Sequence, residues 1–277
     1  MPSARPPRPT APAPEPAAGG EPAQPHPPRR AAAVITDPRL VPLDTVAPEP
    51  LPAVTAERLT RAELRRRFAA GLSWQPELVD DAWRTEGLVM APAAVLIPLI
   101  NRPAGLGLLL TLRSASLTRH SGQVAFPGGR VDPDDASATA AALREAHEEV
   151  GLAPARVEVL GALPEYRTGT GYAVTPVVGL VDGDLDLTAL QLEPREVAEV
   201  FEVPLGFLMD PANHQRRLFR WLERDIELQR RFFTMPWRPD GNGDREYFIW
   251  GATAAMLRNL YRFLAAPLPN AARPHLK

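Results

Sequence analysis

The sequence predicts an α/β (α+β) fold, a mixed β-sheet sandwiched between α-helices. Three observations carry that expectation. Short apolar runs of strand character alternate irregularly with helical stretches, as a mixed sheet requires. One segment, Gly128–Leu152, leaves a glycine turn and continues with a helical pattern bearing three glutamates on one face. A last amphipathic stretch, Thr253–Leu264, offers a second helical layer, with Met256, Leu260 and Leu264 on one stripe and Pro267 ending it.

The elements follow in chain order. The first 53 residues hold 16 of the 33 prolines and almost no aromatic residues. Such a stretch buries too little apolar surface to offset its ordering entropy. Residues 1–53 are therefore expected to be a disordered Pro/Ala-rich tail, and 54–277 one domain with an N-terminal helical extension and a C-terminal helix. From Thr55 the pattern turns helical, with Leu64 and Phe68 four apart and Thr60 and Glu63 spaced as a capping box. Ala93–Ile100 and Gly107–Arg113 read as strands joined by the turn-rich Asn101–Gly105. Ser114–Gly129 reads as a loop leading to a helix that begins near Ser137. Val157–Leu163, Val174–Val181 and Tyr247–Trp250 read as further strands, and Glu199–Pro204 begins another structured stretch.

Composition excludes several functions. There is no cysteine, so disulfides, thiol catalysis and cysteine-ligated zinc are ruled out. The net charge of −2 gives no general attraction to nucleic acid. The longest apolar run, Ala93–Ile100, falls far short of the ~20 residues a membrane helix needs. The arginine-bearing N-terminus lacks the apolar core of a signal peptide. A cytoplasmic protein acting on a small molecule is expected, with no nucleic-acid or membrane partner; a homodimer is left open.

The chemistry concentrates between Gly128 and Leu152. With Glu145 at zero on a helical wheel of ~100° per residue, Glu149 falls about 40° to one side and Glu148 about 60° to the other. Thr139, Leu143, Ala146 and Val150 gather roughly opposite, as a core stripe should. Two partly buried carboxylates ~6 Å apart repel by ~3 kcal/mol at an effective dielectric of 20. A hard divalent cation turns that repulsion into a binding site, because Mg²⁺ takes its ligands from carboxylates, water and substrate phosphates. Gly151 stands where a helix C-cap glycine should, and Arg144 is placed to brace the acidic cluster.

These residues resemble the Nudix box, G-x5-E-x7-R-E-U-x-E-E-x-G-U with U aliphatic. Arg144 to Leu152 fits its second half; the first half is one residue longer, and Asp135 stands where the first glutamate would be. The resemblance implies the Nudix fold and pyrophosphate hydrolysis with Mg²⁺ or Mn²⁺. It makes Glu145 and Glu149 the metal ligands, with Glu148 and Arg144 assisting catalysis. Upstream, Leu109 to Gly129 resembles the signature of coenzyme A pyrophosphatases within that family, L-L-T-x-R-[SA]-x3-R-x3-G-x3-F-P-G-G. The signature's second arginine falls on Thr118, and an arginine sits next to it at Arg119.

Arg113, Arg119, Gln123 and Gly129 are therefore expected to bind substrate, arginine suiting bidentate phosphate contacts. The implied reaction converts coenzyme A or its thioesters to 3′,5′-ADP and 4′-phosphopantetheine or its acyl form. Two other readings stand beside it: hydrolysis of another nucleoside diphosphate derivative such as ADP-ribose or a dinucleotide, and nucleotide binding without cleavage. No general base outside the box is identifiable; Glu193, Glu196 and Glu199 stay uncommitted.

Overall fold

The computed structural model describes residues 35–46, 51–80, 89–115, 122–223, 225–240 and 245–268. Helix α1 (Arg61–Ala69) opens at Thr60, whose hydroxyl accepts the Glu63 N–H at 3.3 Å, as the capping-box spacing predicts. Strands β1 (Ala91–Arg102) and β2 (Gly105–Arg113) form an antiparallel hairpin. Two short strands, β3 (Val124–Ala125) and β4 (Gly128–Arg130), lie inside the segment the sequence reads as a loop. They form because β2 and β1 offer edges for them to pair with. Helix α2 (Ala138–Val150) is followed by β5 (Val157–Ala162), β6 (Tyr166–Arg167), β7 (Tyr172–Val181) and β8 (Val197–Pro204). The chain ends in α3 (Leu205–Leu208), β9 (Gln215–Glu223), β10 (Ile226–Trp237), β11 (Tyr247–Trp250) and α4 (Gly251–Ala265).

The main sheet runs β3-β2-β1-β7-β5, with β4 on β1, β6 on β7 and β8 on β2. It is mixed, because β1 and β7 are parallel while the other pairs are antiparallel. Both faces of β1 are covered, which explains its nearly continuous apolar sequence. Ala93, Ile97 and Leu99 join one core cluster, and Ala94, Leu96 and Ile100 join the other. Helix α2 seals the second cluster through Ala142, Ala146 and Val150. Helices α1 and α4 and the sheet β11-β10-β9 close the first, α4 contributing Leu257, Leu260 and Leu264. Each such fully buried leucine contributes roughly 1.5–3 kcal/mol. No described helix is long and apolar enough to cross a membrane.

The N-terminal boundary differs from the expected tail of residues 1–53. Residues 42–44 pair with the edge of β9: the Asp44 N–H donates to Arg216 O at 2.8 Å and the Leu218 N–H to Pro42 O at 3.0 Å. The Asp44 carboxylate is enclosed between Arg216 Nε at 2.9 Å and Arg231 Nε at 2.8 Å. Composition missed this docking because it rests on backbone pairing and ion pairs rather than on apolar burial.

Candidate active site

Helix α2 begins at Ser137, whose hydroxyl accepts the Ala140 N–H at 3.1 Å. It ends at Gly151, in left-handed conformation at φ 72°, whose N–H donates to Ala146 O and His147 O. Between these caps the helix is turned relative to the wheel reading. Its buried residues are Ala141, Ala142, Ala146, Glu149 and Val150, whereas Thr139 and Leu143 are half-buried and His147 is exposed. The acidic face is therefore directed partly inward. Ala142, two turns before Glu149, is the small residue that permits this approach to the sheet.

Glu149 is only 4 % exposed. Its Oε2 accepts the Gly128 N–H at 2.9 Å, and its Oε1 lies 3.8 Å from Arg113 Nη1. Gly128, at φ 155°, brings its amide there because it has no side chain: a Cβ would stand 2.4 Å from Ala94 O. The Glu145 carboxylate lies against Gly129, where a Cβ would meet its carboxyl carbon at 2.4 Å. Glu148 is exposed.

Arg144 ties the arrangement together. Its Nε and Nη2 engage both oxygens of Asp135 at 3.1 and 2.9 Å, and its Nη1 reaches Glu145 at 3.0 Å and Glu148 at 2.9 Å. Nη2 also donates to Arg130 O at 3.1 Å. The aspartate at position 135 is thus the loop's anchor to α2. It also accepts the Asp132 N–H at 2.8 Å, closing the turn that the extra residue creates.

The electrostatics are those of crowded carboxylates. Burial pushes the Glu149 carboxyl up to about 7; Gly128 and Arg113 oppose this, while the fields of Glu196 and Glu145 add to it. Glu145 is raised as well, chiefly by burial, against the pull of Arg144 and with further repulsion from Glu148 and Glu196. Glu196, left uncommitted in the sequence, thus acts electrostatically on both expected ligands. It arrives there through the turn before β8, where the Glu193 N–H donates to Glu149 O at 2.9 Å and the Ser114 N–H to Glu196 O at 2.8 Å. Its position depends on long-range pairing that no local pattern announces.

The donor set fits a hard divalent cation: all oxygen, strongly repelling, and backed by a glycine that leaves room for one carboxylate. Among the described residues no three acidic or histidine side chains already converge on one point. Arg144 instead holds an oxygen each of Glu145 and Glu148.

A cleft of about 510 Å³ adjoins this cluster on the side of Gly128 and Gly129. Arg113 and Gln123 line it, joined by Phe126, Tyr172, Trp250 and the apolar Val95, Val124 and Met256. Arg113 Nε is buried without a hydrogen-bond partner among the described residues. Three of the expected substrate residues, Arg113, Gln123 and Gly129, thus meet at one cleft. The fourth, Arg119, lies outside the described residues, as does Thr118.

A mixed sheet, a helix carrying inward-directed glutamates and a glycine turn against them define a pyrophosphohydrolase that works on phosphoric anhydrides. Residues 90–223 match the NUDIX domain, and the chain belongs to the Nudix hydrolase family. It is 47% identical over 175 residues to NudL of Escherichia coli K12, an uncharacterized Nudix hydrolase, covering 61% of this chain and 80% of NudL. Among solved structures, a Nudix hydrolase of M. smegmatis, RenU, is 27% identical with a TM-score of 0.36, covering 43% of this chain and 80% of that one. The Nudix domain of Shewanella oneidensis NrtR, crystallised with ADP ribose, is 23% identical with a TM-score of 0.34, covering 42% and 73%.

Proposed function

We propose that this enzyme hydrolyses the pyrophosphate bond of coenzyme A or its thioesters, giving 3′,5′-ADP and 4′-phosphopantetheine or the acylated form. The observation that supports this most is the meeting of two sequence features at one cleft. The Leu109–Gly129 stretch supplies its wall through Arg113, Gln123, Phe126 and Gly129, and the carboxylates of α2 stand at that wall's edge.

Nudix hydrolases generally use divalent metal ions. In this chain Glu145 and Glu149 would hold Mg²⁺ or Mn²⁺, with Glu196 and Glu148 completing the acidic set. When bound, the ion would neutralise charge on the phosphates and make the attacking water more acidic. The remaining work belongs to the protein. Arg113 would offer its guanidinium to a phosphate oxygen and so hold the anhydride beside Glu149. Arg144 is a positioning residue that keeps Glu145 and Glu148 in register with the Asp135 loop. The apolar and aromatic lining excludes water from the rest of the substrate and leaves the hydrolytic water to the carboxylate end. Water adds across the P–O–P bridge, and the two phosphates part as separate monoesters.

The test is product identification by chromatography and mass spectrometry after incubating the purified chain with coenzyme A and Mg²⁺ or Mn²⁺. Release of 3′,5′-ADP is expected. Absence of turnover with either metal, alongside turnover of ADP-ribose or a dinucleotide in a parallel panel, would transfer the enzyme to another diphosphate substrate. The cytoplasm is the compartment we propose for this reaction.

A further inference from the structure

The cleft beside the carboxylates has a wall that lies outside the 90–223 segment of the family domain. Trp250, Gly251, Ala252 and Thr253 form it. Trp250 is the last residue of β11 and stands just ahead of α4. Its backbone is extended, at φ −154° and ψ −176°, and the next residue, Gly251, is left-handed at φ 63°. A glycine accepts that conformation freely, so the strand passes into the helix with no linker between them. Three contacts then fix the tryptophan. It pairs with Thr234 of β10. Its ring meets that of the buried Phe232 edge to face, with centroids 6.1 Å apart. Three residues on, the Thr253 hydroxyl donates to Val124 O at 3.0 Å. This last contact relates the wall to the reacting end. Val124 pairs with Leu112 on β2, and the Arg113 N–H donates to Gln123 O at 2.9 Å. One strand spacing of ~5 Å and one hydrogen-bonded side chain thus lead from Arg113 to the start of α4.

We propose that Trp250 is a specificity-determining residue on which the nucleobase of the substrate stacks. This rests on the reading above, in which the cleft takes an adenine nucleotide. Indole has no charge to offer a phosphate and no titratable group for the chemistry at the anhydride. What it presents is a broad, rigid π face, and the planar group of coenzyme A that such a face binds is the purine. A base stacks on an aromatic ring whatever its hydrogen-bonding edge, so Trp250 selects for the presence of a base rather than for adenine over other bases. Because Phe232, the strand pairing and Thr253 already hold this wall, little conformational freedom is lost when the base arrives.

The experiment measures, by calorimetry without metal, binding of AMP and of ribose 5-phosphate, which lacks the base. The proteins are the full chain, Trp250→Ala and Trp250→Phe. The wild type is expected to prefer AMP by about 5-fold or more, the lower end for a base on an aromatic ring. In Trp250→Ala the preference should fall towards one with ribose 5-phosphate binding unchanged, and Trp250→Phe should keep most of it. AMP should also quench the tryptophan emission of the wild type, and that quenching should be lost in Trp250→Phe although AMP still binds. No preference in the wild type, or one undiminished in Trp250→Ala, overturns the assignment, as does quenching undiminished in Trp250→Phe. If Trp250→Ala fails to fold, the emission of Trp250→Phe decides. Hydrolysis of coenzyme A by a wild type without base preference would remove the platform and leave the functional reading. A preference lost in Trp250→Ala, in an enzyme that does not turn over coenzyme A, would keep the platform and move the reaction to another nucleoside diphosphate.

Discussion

Glu149 and Gly129 show how single residues set the site. The Glu149 carboxylate is buried beside two further glutamates, and one amide and a more distant guanidinium hold it among the described residues. Replacing it by Gln keeps the hydrogen bond from Gly128 and removes the ligand charge. Glu149→Gln should therefore keep its fold by circular dichroism while kcat falls by several orders of magnitude; turnover within tenfold of wild type would refute the metal assignment. Gly129 makes a sharper test, because a Cβ there meets the movable Glu145 carboxylate rather than backbone. Gly129→Ala should displace Glu145 and lower kcat/KM by at least ~10-fold, about 1.4 kcal/mol of transition-state stabilisation, with little change in Tm. Gly128→Ala, by contrast, meets Ala94 O and should lower Tm markedly. Equal thermal losses in the two variants would show that Gly129 is also a structural position.

At the level of elements, α2 and its preceding loop act as one unit through Arg144, which engages Asp135, Glu145 and Glu148 together. A lysine reaches one such partner at a time and cannot span both oxygens of Asp135. Arg144→Lys should thus lower kcat by roughly 10–100-fold, with a smaller effect on KM, measured under saturating metal; an unchanged kcat would make the brace dispensable. Much of this unit was legible in the sequence, because helix caps and glutamate spacing are local signals: Ser137, Gly151 and the 145/148/149 face follow from them. The rotation of the helix was not legible. Alanines can serve either face, and the partner that draws Glu149 inward is the Gly128 amide, delivered by a two-residue excursion of the sheet edge. Glu196 was hidden for a related reason: it is positioned by pairing of β8 with β2. The docked segment at residues 42–44 was lost in the proline-rich composition around it.

Across the whole molecule, two buried titratable groups on opposite sides of the main sheet give stability opposing pH dependences. Glu149, on the α2 side, has a folded pKa of about 7 against an ordinary value of 4.5. Its contribution is present below 4.5 and is lost as pH rises through 7. His214, on the α4 side, is 3 % exposed. Its Nε2 lies 2.7 Å from Leu208 O, an obligate acceptor, and its Nδ1 lies 3.0 Å from Arg258 Nη1, an obligate donor. The ring is therefore neutral with the proton on Nε2, and a second proton on Nδ1 would face the Arg258 guanidinium. Burial is the main cause that pulls its pKa from 6.5 to about 4, with Arg258 adding to the effect and the Leu208 carbonyl opposing it. A depressed histidine pKa means the unfolded chain binds more protons between those values. Stability is then lost as pH falls from 6.5 towards 4, on the order of 3 kcal/mol in all. The two windows overlap, so the metal-free wild type should show a flatter pH profile than either variant. With EDTA present, the Tm difference of Glu149→Gln minus wild type should grow more positive as pH rises from 4.5 to 7. The difference for His214→Gln should grow more positive as pH falls below 6.5. Addition of Mg²⁺ should oppose the first trend, since the ion binds the carboxylate form, and leave the second in place. Parallel Tm profiles for wild type and His214→Gln from pH 4 to 7 would show that acid lability resides elsewhere than the His214–Arg258 contact.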